Sequence, residues 1–411
     1  MSEIITIDGG ITSPKGFQAA GLRAGIKPGK TNKDMAMVVS MVPCAAAGVF
    51  TRNLVKAAPV QWDSAMLDKN GVAQAVVINS GIANACTGAD GYENVKKTAK
   101  AVASELDIKT EQVMVMSTGV IGQPLPMDII EQGITKLREN LSKELSAAHD
   151  AAEAILTTDT HAKEIAVEFT IKGKTVRMAG MCKGSGMIHP NMGTMLGVIT
   201  TDVMVPAKLL STTLKELVED TFNMVSVDGD TSTNDSVIVL ANGLAEHELL
   251  SQEDEDYLVF RQALLQVMTY LAKNIAADGE GATRLLEATV IHAATKEQAK
   301  CLAKSIITSN LTKAAIFGMD ANWGRILCAM GYSGAEFNPE QVQIQIASEK
   351  GVLTLVEHGM ATDYDEEQAT DILSPKKVTI LADIFQGEEQ ATAWGCDLTY
   401  DYVKINADYR S

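Results

Sequence analysis

The stretch KGSGMIHPNMGTMLGVITTD, residues 183–202, joins a glycine-rich loop to an apolar segment. Glycines alternate through 183–186, Pro190 follows, and the pair Gly193 and Thr194 directly precedes the apolar run 195–199. Glycine and proline are typical of turns, and a short apolar run bounded by polar residues is typical of a buried strand. The stretch therefore predicts a flexible loop that delivers the hydroxyl group of Thr194 to the start of a buried strand.

Predicted strands and helices alternate on both sides of this stretch. Apolar runs without helical spacing predict strands, whereas apolar residues three and four positions apart predict helices. Before the stretch, strands are predicted at 35–41, 45–50, 73–78, 112–116 and 165–171, and helices near 93–106, 129–141 and 146–156. After it, strands are predicted at 236–241 and 286–292, and helices at 210–218, at 253–276 and behind a capping box of Thr295 and Gln298. This alternation is typical of a layered α/β protein.

The pattern changes from about residue 335, where short strands at 342–346, 352–356 and 378–382 follow one another. An acidic loop is predicted between them, at 363–368. A chain of 411 residues is long enough for two domains. We therefore expect a second, strand-rich domain, with a boundary between residues 285 and 335.

The composition excludes several classes of partner. The net charge of -17 argues against nucleic acid and against an anionic membrane surface, since both require basic footprints. Hydrophobic residues make up 46% and charged residues 21%, which is typical of a soluble globular protein. The sequence contains neither a signal-peptide pattern at its start nor an apolar run of membrane-spanning length. The cytoplasm is therefore the predicted location, with no membrane contact.

The sequence motifs argue against metal, nucleotide and serine-histidine chemistry. The six cysteines occur singly, and the histidines share no ligand spacing with cysteines or carboxylates, so no metal site is predicted. The glycines of 119–122 and 183–186 lack the spacing of a P-loop or a dinucleotide-binding motif. No G-x-S-x-G elbow of a serine hydrolase occurs.

The sequence is compatible with a nucleophile that needs no histidine. If the peptide bond between Gly193 and Thr194 is cut, the new α-amino group of Thr194, with an ordinary pKa of about 7.7–8.0, can act as the general base for its own hydroxyl group. Polar loops at 79–88, 117–122, 228–235 and 278–283 are candidates to surround it. By spacing alone, a turn that uses glycine, asparagine and aspartate for its backbone conformation is the more ordinary explanation of each single loop.

The ordered motifs of the chain resemble those of one family. The sequence is similar, over essentially its whole length, to the self-cleaving glutamate N-acetyltransferases, also called ornithine acetyltransferases, of arginine biosynthesis. The motifs that carry the resemblance are PKGF at 14–17, AAAGVFT at 45–51, NSG at 79–81, NACTG at 84–88, STGVIG at 117–122, TTDT at 157–160, the stretch 183–202, DGDTSTND at 228–235, DANWGR at 320–325 and YVKINADYRS at 402–411.

The resemblance implies a role for each matching residue. Thr194 is the implied nucleophile, exposed by self-cleavage after Gly193, and Thr118 with Gly119 is the implied oxyanion hole. The implied substrate-binding residues are Thr157, Lys183, Thr194, Glu280, Asn406 and Ser411. The family usually has alanine where this chain has Gly193, which is the departure from the pattern at the cut.

The resemblance also implies an architecture and a reaction. The implied fold is an α/β/β/α layered catalytic domain, residues 1–290, with a smaller C-terminal α/β domain, residues 291–411, whose tail returns to the active site. Cleavage would give an α chain of residues 1–193 and a β chain of residues 194–411, assembled as a heterotetramer of two α and two β chains. The implied reaction is ping-pong acetyl transfer from N2-acetyl-L-ornithine to L-glutamate, without a cofactor. Acetyl-CoA stays open as a further acetyl donor.

Two alternatives remain open from the sequence. One is a related self-processing amidohydrolase of the aminopeptidase type, in which water takes the place of glutamate. The other is an amino-acid-binding protein that never cleaves itself. The sequence also leaves open which end of the substrate Lys183 and Glu280 each bind.

Overall fold

The computed structural model describes residues 3–27, 29–189, 195–252 and 254–408. The strands are β1 Ile5–Ile7, β2 Phe17–Leu22, β3 Met35–Phe50, β4 Val72–Ile82, β5 Val113–Val120, β6 Lys163–Ile171, β7 Lys174–Lys183, β8 Leu196–Thr201, β9 Val225–Ser226, β10 Ser236–Ala241, β11 Leu285–Ala293, β12 Gln343–Ser348, β13 Gly351–Glu357, β14 Met360–Ala361, β15 Lys377–Asp383 and β16 Glu389–Cys396. The α-helices are α1 Ala58–Asn70, α2 Gly88–Leu106, α3 Met127–Glu139, α4 Leu145–Ala154, α5 Ala207–Val218, α6 Glu255–Ala277, α7 Lys296–Thr308, α8 Asn310–Phe317, α9 Trp323–Gly331, α10 Glu366–Leu373 and α11 Tyr400–Asp408.

The long strand β3 connects the two halves of the larger sheet. The strand order is β1-β6-β7-β8-β10-β3-β4-β5 in the described part of the chain, and β2 also pairs with β3. The first half of β3 pairs with β2 and β4, whereas its second half pairs with β10. The prediction of two strands, 35–41 and 45–50, is wrong, because one strand runs through both. Its pairing with β4 is irregular between Val39 and Cys44, around Pro43, which has no N–H to donate to a strand ladder.

Alternating side chains show that these two halves face each other as layers. Val76 of β4 and Ile238 of β10 belong to one central buried cluster. Val77 of β4 belongs instead to a cluster with α2 and α3, and Val237 of β10 to a cluster with α5 and α6. Successive strand residues point to opposite faces, so each half has one face on the central core and one under helices. The layers are therefore helix, sheet, sheet and helix, which confirms the predicted α/β/β/α fold.

A second, smaller sheet is built mostly from the C-terminal part of the chain. Its order, within the described ranges, is β14-β13-β12-β15-β11-β16-β9. Helix α7 packs on β11 and β16, and α6 contacts both sheets, so the two units share a continuous core. The two-residue strand β9 lies in the chain between β8 and β10 of the larger sheet, but it pairs in parallel with β16 of the smaller sheet. The division of the chain at residue 290 stays a prediction.

Of two local predictions, the start of helix α7 is confirmed and the acidic loop at 363–368 is wrong. The hydroxyl of Thr295 accepts a hydrogen bond from the Gln298 N–H at 3.1 Å, which confirms the predicted start of α7. The prediction of an acidic loop over the whole of 363–368 is wrong, because Asp365 caps α10 and accepts from the Gln368 N–H at 2.7 Å. Acidic residues favour the first turn of a helix, where they interact with its positive end.

Among the described helices, none has the length and apolar composition that crossing a bilayer requires.

Candidate active site

A small cavity of about 130 Å³ brings together side chains that are far apart in the sequence. Six predicted site residues line it: Thr118, Gly119, Thr157, Lys183, Glu280 and Asn406. The predicted nucleophile Thr194, the cleavage residue Gly193 and the terminal Ser411 lie outside the described residues. The sequence did not single out the other lining residues, although most belong to its polar loops: Ala83, Ile121, Thr158, Gly186, Met187, Ser232, Thr233 and Asn234.

The predicted oxyanion pair lies at the end of β5, in a conformation that requires glycine. Gly119 has a φ of +128°, and a Cβ added there would lie 2.2 Å from the carbonyl carbon of Gly81 on the neighbouring strand β4. Alanine is therefore excluded both by the backbone conformation and by the close approach of the two strands. The Nζ of Lys183 donates to the Oγ1 of Thr118 at 3.4 Å. Because Thr118 accepts this bond, its own hydroxyl hydrogen is available for another acceptor.

Lys183 and Glu280 place opposite charges on the walls of the same cavity. Both are buried, with 6% and 8% of their surface exposed. Neither makes an ion pair within 4.0 Å to any described residue. The tail reaches this point, because the Nδ2 of Asn406 in α11 donates to the Oε2 of Glu280 at 2.7 Å. Buried charges are normally paired, so an ammonium and a carboxylate left apart in one cavity are suited to a ligand that carries both charges.

Glycine also makes room for the carboxylate. A Cβ at Gly186 would lie 2.3 Å from the carboxylate of Glu280. The Glu280 N–H in turn donates to the Ser185 carbonyl at 3.0 Å. Gly186 in the glycine-rich run therefore lets Glu280 approach the loop that follows Lys183, which gives this glycine a specific steric function.

A buried ion-pair network holds these segments in place. Lys163, at the start of β6, bridges Asp159 at 2.7 Å and Asp278 at 2.5 Å. Asp159 accepts from the N–H groups of Thr157 at 3.1 Å and Gly184 at 2.7 Å. The network therefore connects the segments that carry Thr157, Lys183 and Glu280. No sequence signal indicated Lys163, because a lone lysine before a predicted strand does not reveal its burial.

Charge and burial act in opposite directions on the Asp159 carboxyl. Burial opposes its ionisation, but the charges of Lys183 and Lys163 and the Gly184 N–H favour the anion and hold the pKa of Asp159 well below its usual range. Asp159 is therefore a carboxylate at neutral pH, paired with the Lys163 ammonium, and it attracts the Lys183 ammonium without forming an ion pair with it.

Lys27 adds a further cation beside the cavity that no sequence motif indicated. Its Nζ donates to the Leu156 carbonyl at 2.7 Å, next to Thr157. Burial, opposed by Asp34 and reinforced by the charge of Lys183, lowers the pKa of Lys27 to about 8. The electrostatic field around the cavity is therefore more positive than Lys183 alone would make it.

The polar loop 228–235 forms the opposite wall. The Nδ2 of Asn234 donates to the carbonyls of Ala83 at 2.6 Å and Ser117 at 2.8 Å, which ties three predicted loops together. Asp235 immediately precedes β10, and the Ser236 N–H donates to the Met195 carbonyl at 2.9 Å. Burial raises the pKa of Asp235 well above its ordinary value. The Asp235 carboxyl group, whose ionisation burial disfavours, therefore lies close to Met195, the residue that follows Thr194 in the sequence.

The described residues contain no group of three or more histidine, cysteine or carboxylate side chains that could hold a metal ion. A layered α/β fold in which loops from both sheet layers gather hydroxyl, ammonium and carboxylate groups around one small cavity is typical of an enzyme active site.

Comparison with known proteins identifies the family. The model of the ArgJ family matches residues 18–411. The arginine biosynthesis bifunctional protein ArgJ of Caldanaerobacter subterraneus subsp. tengcongensis is 51% identical over 405 residues, which cover 98% of this chain and 99% of that protein. The protein of the same name from Symbiobacterium thermophilum is 52% identical over 404 residues, with coverage of 98% and 99%. The crystal structure of the arginine biosynthesis bifunctional protein ArgJ from Bacillus halodurans is 46% identical and covers 51% of this chain and 97% of its own, with a TM-score of 0.49. The chain belongs to the ArgJ family, which confirms the resemblance and the prediction of an enzyme.

Proposed function

We propose that the protein transfers the acetyl group of N2-acetyl-L-ornithine to L-glutamate, with Thr194 as the nucleophile, and so recycles acetyl groups in arginine biosynthesis. The observation that carries the proposal is the unpaired Lys183 and Glu280 on the walls of one cavity that also contains Thr118 and Gly119. N2-acetylornithine carries one carboxylate and one ammonium group, so it can bind both side chains at once. The names of the relatives, which refer to arginine biosynthesis and to a bifunctional protein, agree with this proposal.

The first half-reaction forms an acetyl ester. The Thr194 hydroxyl attacks the acetyl carbonyl carbon, and its proton passes to the α-amino group of the same residue. The Thr118 hydroxyl and the Gly119 N–H stabilise the negative oxygen of the tetrahedral intermediate, and each such donor contributes roughly 3–4 kcal/mol in other enzymes. The carbon–nitrogen bond then breaks, the proton passes to the departing amine, and ornithine leaves.

The second half-reaction reverses these steps with another amine. The α-amino group of glutamate attacks the acetyl-threonine carbonyl, the ester bond breaks, and the proton released from the amine returns to the Thr194 oxygen. The products are N-acetylglutamate and the free enzyme. No cofactor takes part, and acetyl-CoA is a second acetyl donor that forms the same ester. The active form is a heterotetramer of two α and two β chains, made by cleavage between Gly193 and Thr194.

A Thr194→Ala variant tests the nucleophile. It removes the hydroxyl group, so we expect an uncut chain without transfer from acetylornithine to glutamate. Mass spectrometry of the denatured protein detects the cut, and N-acetylglutamate formation measures the transfer. A fragment that begins at Thr194 in the wild type, together with acetylglutamate, supports the proposal. Substantial ornithine-dependent transfer by the variant contradicts it.

Two further outcomes separate the alternatives. Free acetate in place of acetylglutamate would assign the protein to the self-processing amidohydrolases, in which water attacks the ester. An intact wild-type chain after long incubation would remove the α-amino group on which the mechanism depends. A Gly193→Ala variant, which restores the residue usual in the family at the cut, measures whether glycine slows the cleavage.

A further inference from the structure

A groove of about 710 Å³ lies apart from the active-site cavity, between α1 and α5. Its floor is the end of β3, from Ala46 to Phe50, continued by Thr51, and its walls come from the end of α1 and from α5. A space of this size is typical of sites for cofactors and small molecules. The proposed acetyl transfer between amino acids makes no use of it.

The charges around this groove oppose the charge of the whole chain. The chain has 52 acidic and 35 basic residues. The groove instead has five cations against two carboxylates, and the charged lining residues are Arg52, Lys56, Lys69, Lys208, Lys215, Asp68 and Glu219. A local excess of positive charge in a concave surface raises the local concentration of anions.

Four of these five cations have no ion-pair partner among the residues that the structure describes. Arg52 approaches the Glu219 carboxylate at 3.6 Å. The four lysines form no ion pair with any residue in the described ranges. Unpaired ammonium groups from three separate segments around one groove indicate an anionic ligand with more than one charged group, because a single carboxylate cannot reach all three walls.

The floor of the groove adds backbone donors. The Ala46 N–H donates to the Gly71 carbonyl at 2.9 Å, on the side of β3 that faces away from β10. Backbone groups alternate along an antiparallel strand, so the N–H groups of Gly48 and Phe50 point to the same side, into the groove. These donors have no hydrogen-bond partner among the described residues. Phosphate oxygens are well suited to such N–H groups in combination with lysines.

The groove is separated from the active site by a single hydrogen-bonded layer. Thr51 lines the groove, and its hydroxyl donates to the carbonyl of Ser232, which lines the active-site cavity, at 2.8 Å. The side chain of Asn53 donates to the Thr231 carbonyl at 2.9 Å, along the same layer. A ligand with its phosphates in the groove can therefore extend an arm over this layer toward the cavity.

We propose that the groove binds the phosphate-bearing nucleotide end of acetyl-CoA and directs its thioester to the active site. This inference rests on the proposed acetyl transfer, since acetyl-CoA is the reactant in it that carries phosphates. The thioester then takes the position of acetylornithine: the Thr194 oxygen forms the ester, the carbon–sulfur bond breaks, and the thiol receives the proton.

The test reverses charge on one wall and compares three acetyl donors. The double variant Lys208→Glu and Lys215→Glu changes α5, and the matched control, Lys97→Glu and Lys100→Glu, makes the same change in charge on exposed positions of α2. Each is assayed with glutamate and acetyl-CoA, S-acetylpantetheine or N2-acetylornithine. S-acetylpantetheine is a thioester without the nucleotide phosphates.

We expect kcat/KM for acetyl-CoA to fall about tenfold or more in the α5 variant, since it replaces two attractions by two repulsions. The other two donors should stay within about twofold of wild type, and the α2 control should match wild type with all three. ADP should inhibit the wild-type reaction with acetyl-CoA more strongly than the reaction with acetylornithine.

Three outcomes overturn the inference: an unchanged kcat/KM for acetyl-CoA in the α5 variant, an equal fall for all three donors, or a wild-type enzyme that uses acetylornithine but not acetyl-CoA. Failure of the proposed function is distinct, because the wild type would then form no acetylglutamate from acetylornithine.

Discussion

Replacement of Lys163 by methionine tests whether the buried ion-pair network holds the site segments together. Lys163 is 1% exposed, and its ammonium bridges the carboxylates of Asp159 and Asp278 at 2.7 and 2.5 Å. Methionine has a similar length and fills the same space without charge. The substitution therefore leaves two buried carboxylates near each other without the cation between them.

The expected loss follows from this geometry. Removal of one partner of a buried ion pair costs about 3–5 kcal/mol, because an uncompensated charge stays buried. Here two carboxylates lose the same partner, although Lys183 still interacts with Asp159, so we expect a loss in that range. This is a large fraction of the roughly 5–15 kcal/mol by which a typical domain is stable. Urea unfolding at neutral pH measures it.

The dependence of this loss on pH provides a second check. The pKa of Asp159 is lower in the folded protein than in the unfolded chain, so its contribution is present above the unfolded value of about 3.9 and declines as pH falls toward the folded value. The difference between wild type and Lys163→Met should therefore shrink below about pH 4. The control is Lys96→Met, which breaks an exposed pair with Glu93 and should leave stability unchanged. A loss below about 1 kcal/mol at neutral pH, or a loss that grows in acid, would refute the role of the network.

Two further predictions concern the substrate site and a buried carboxyl group. A Glu280→Ala variant should still cleave itself. Its KM for acetylornithine should rise by about tenfold or more, since the substitution removes one charged contact with the substrate. Loss of the cut would show that Glu280 supports folding or processing instead. Burial, opposed by the Val115 N–H, raises the pKa of Asp63 well above its ordinary value, so the wild type should lose roughly 1 kcal/mol of stability over the pH unit just above the unfolded carboxyl pKa of about 3.9. An Asp63→Asn variant should lack this decline in urea unfolding between pH 4 and 6, and an unchanged slope would mean that Asp63 is ionised in the folded protein.

The α/β alternation was predictable because local periodicity reports which face of each element is buried. The runs 73–78 and 236–241 are strands, and the periodic segments 210–218 and 253–276 lie within or next to helices α5 and α6. The break around Pro43 was misleading, since a local change of pairing within one bent strand has the same sequence pattern as the end of a strand. No periodicity indicated that this bend folds the sheet into two layers.

Part of the site was likewise available from motifs. Thr118, Gly119, Lys183 and Glu280 belong to segments that stand out by their glycines and polar residues, and the structure brings them to one cavity. Their catalytic and binding roles stay predictions. The role of Thr194 as nucleophile rests on the sequence alone, because the residue lies outside the described ranges.

The sequence by itself determined the order of the elements, the family and the residue types available for chemistry, since these depend on local pattern and on motifs. Only the tertiary structure decided that Lys163 is a buried bridge, that Lys183 and Glu280 face one cavity unpaired, and that lysines from three segments surround one groove. Burial and charge pairing depend on contacts between distant segments. A lysine in a sequence therefore has the same appearance whether its ammonium is solvated, paired in the core or directed toward a ligand.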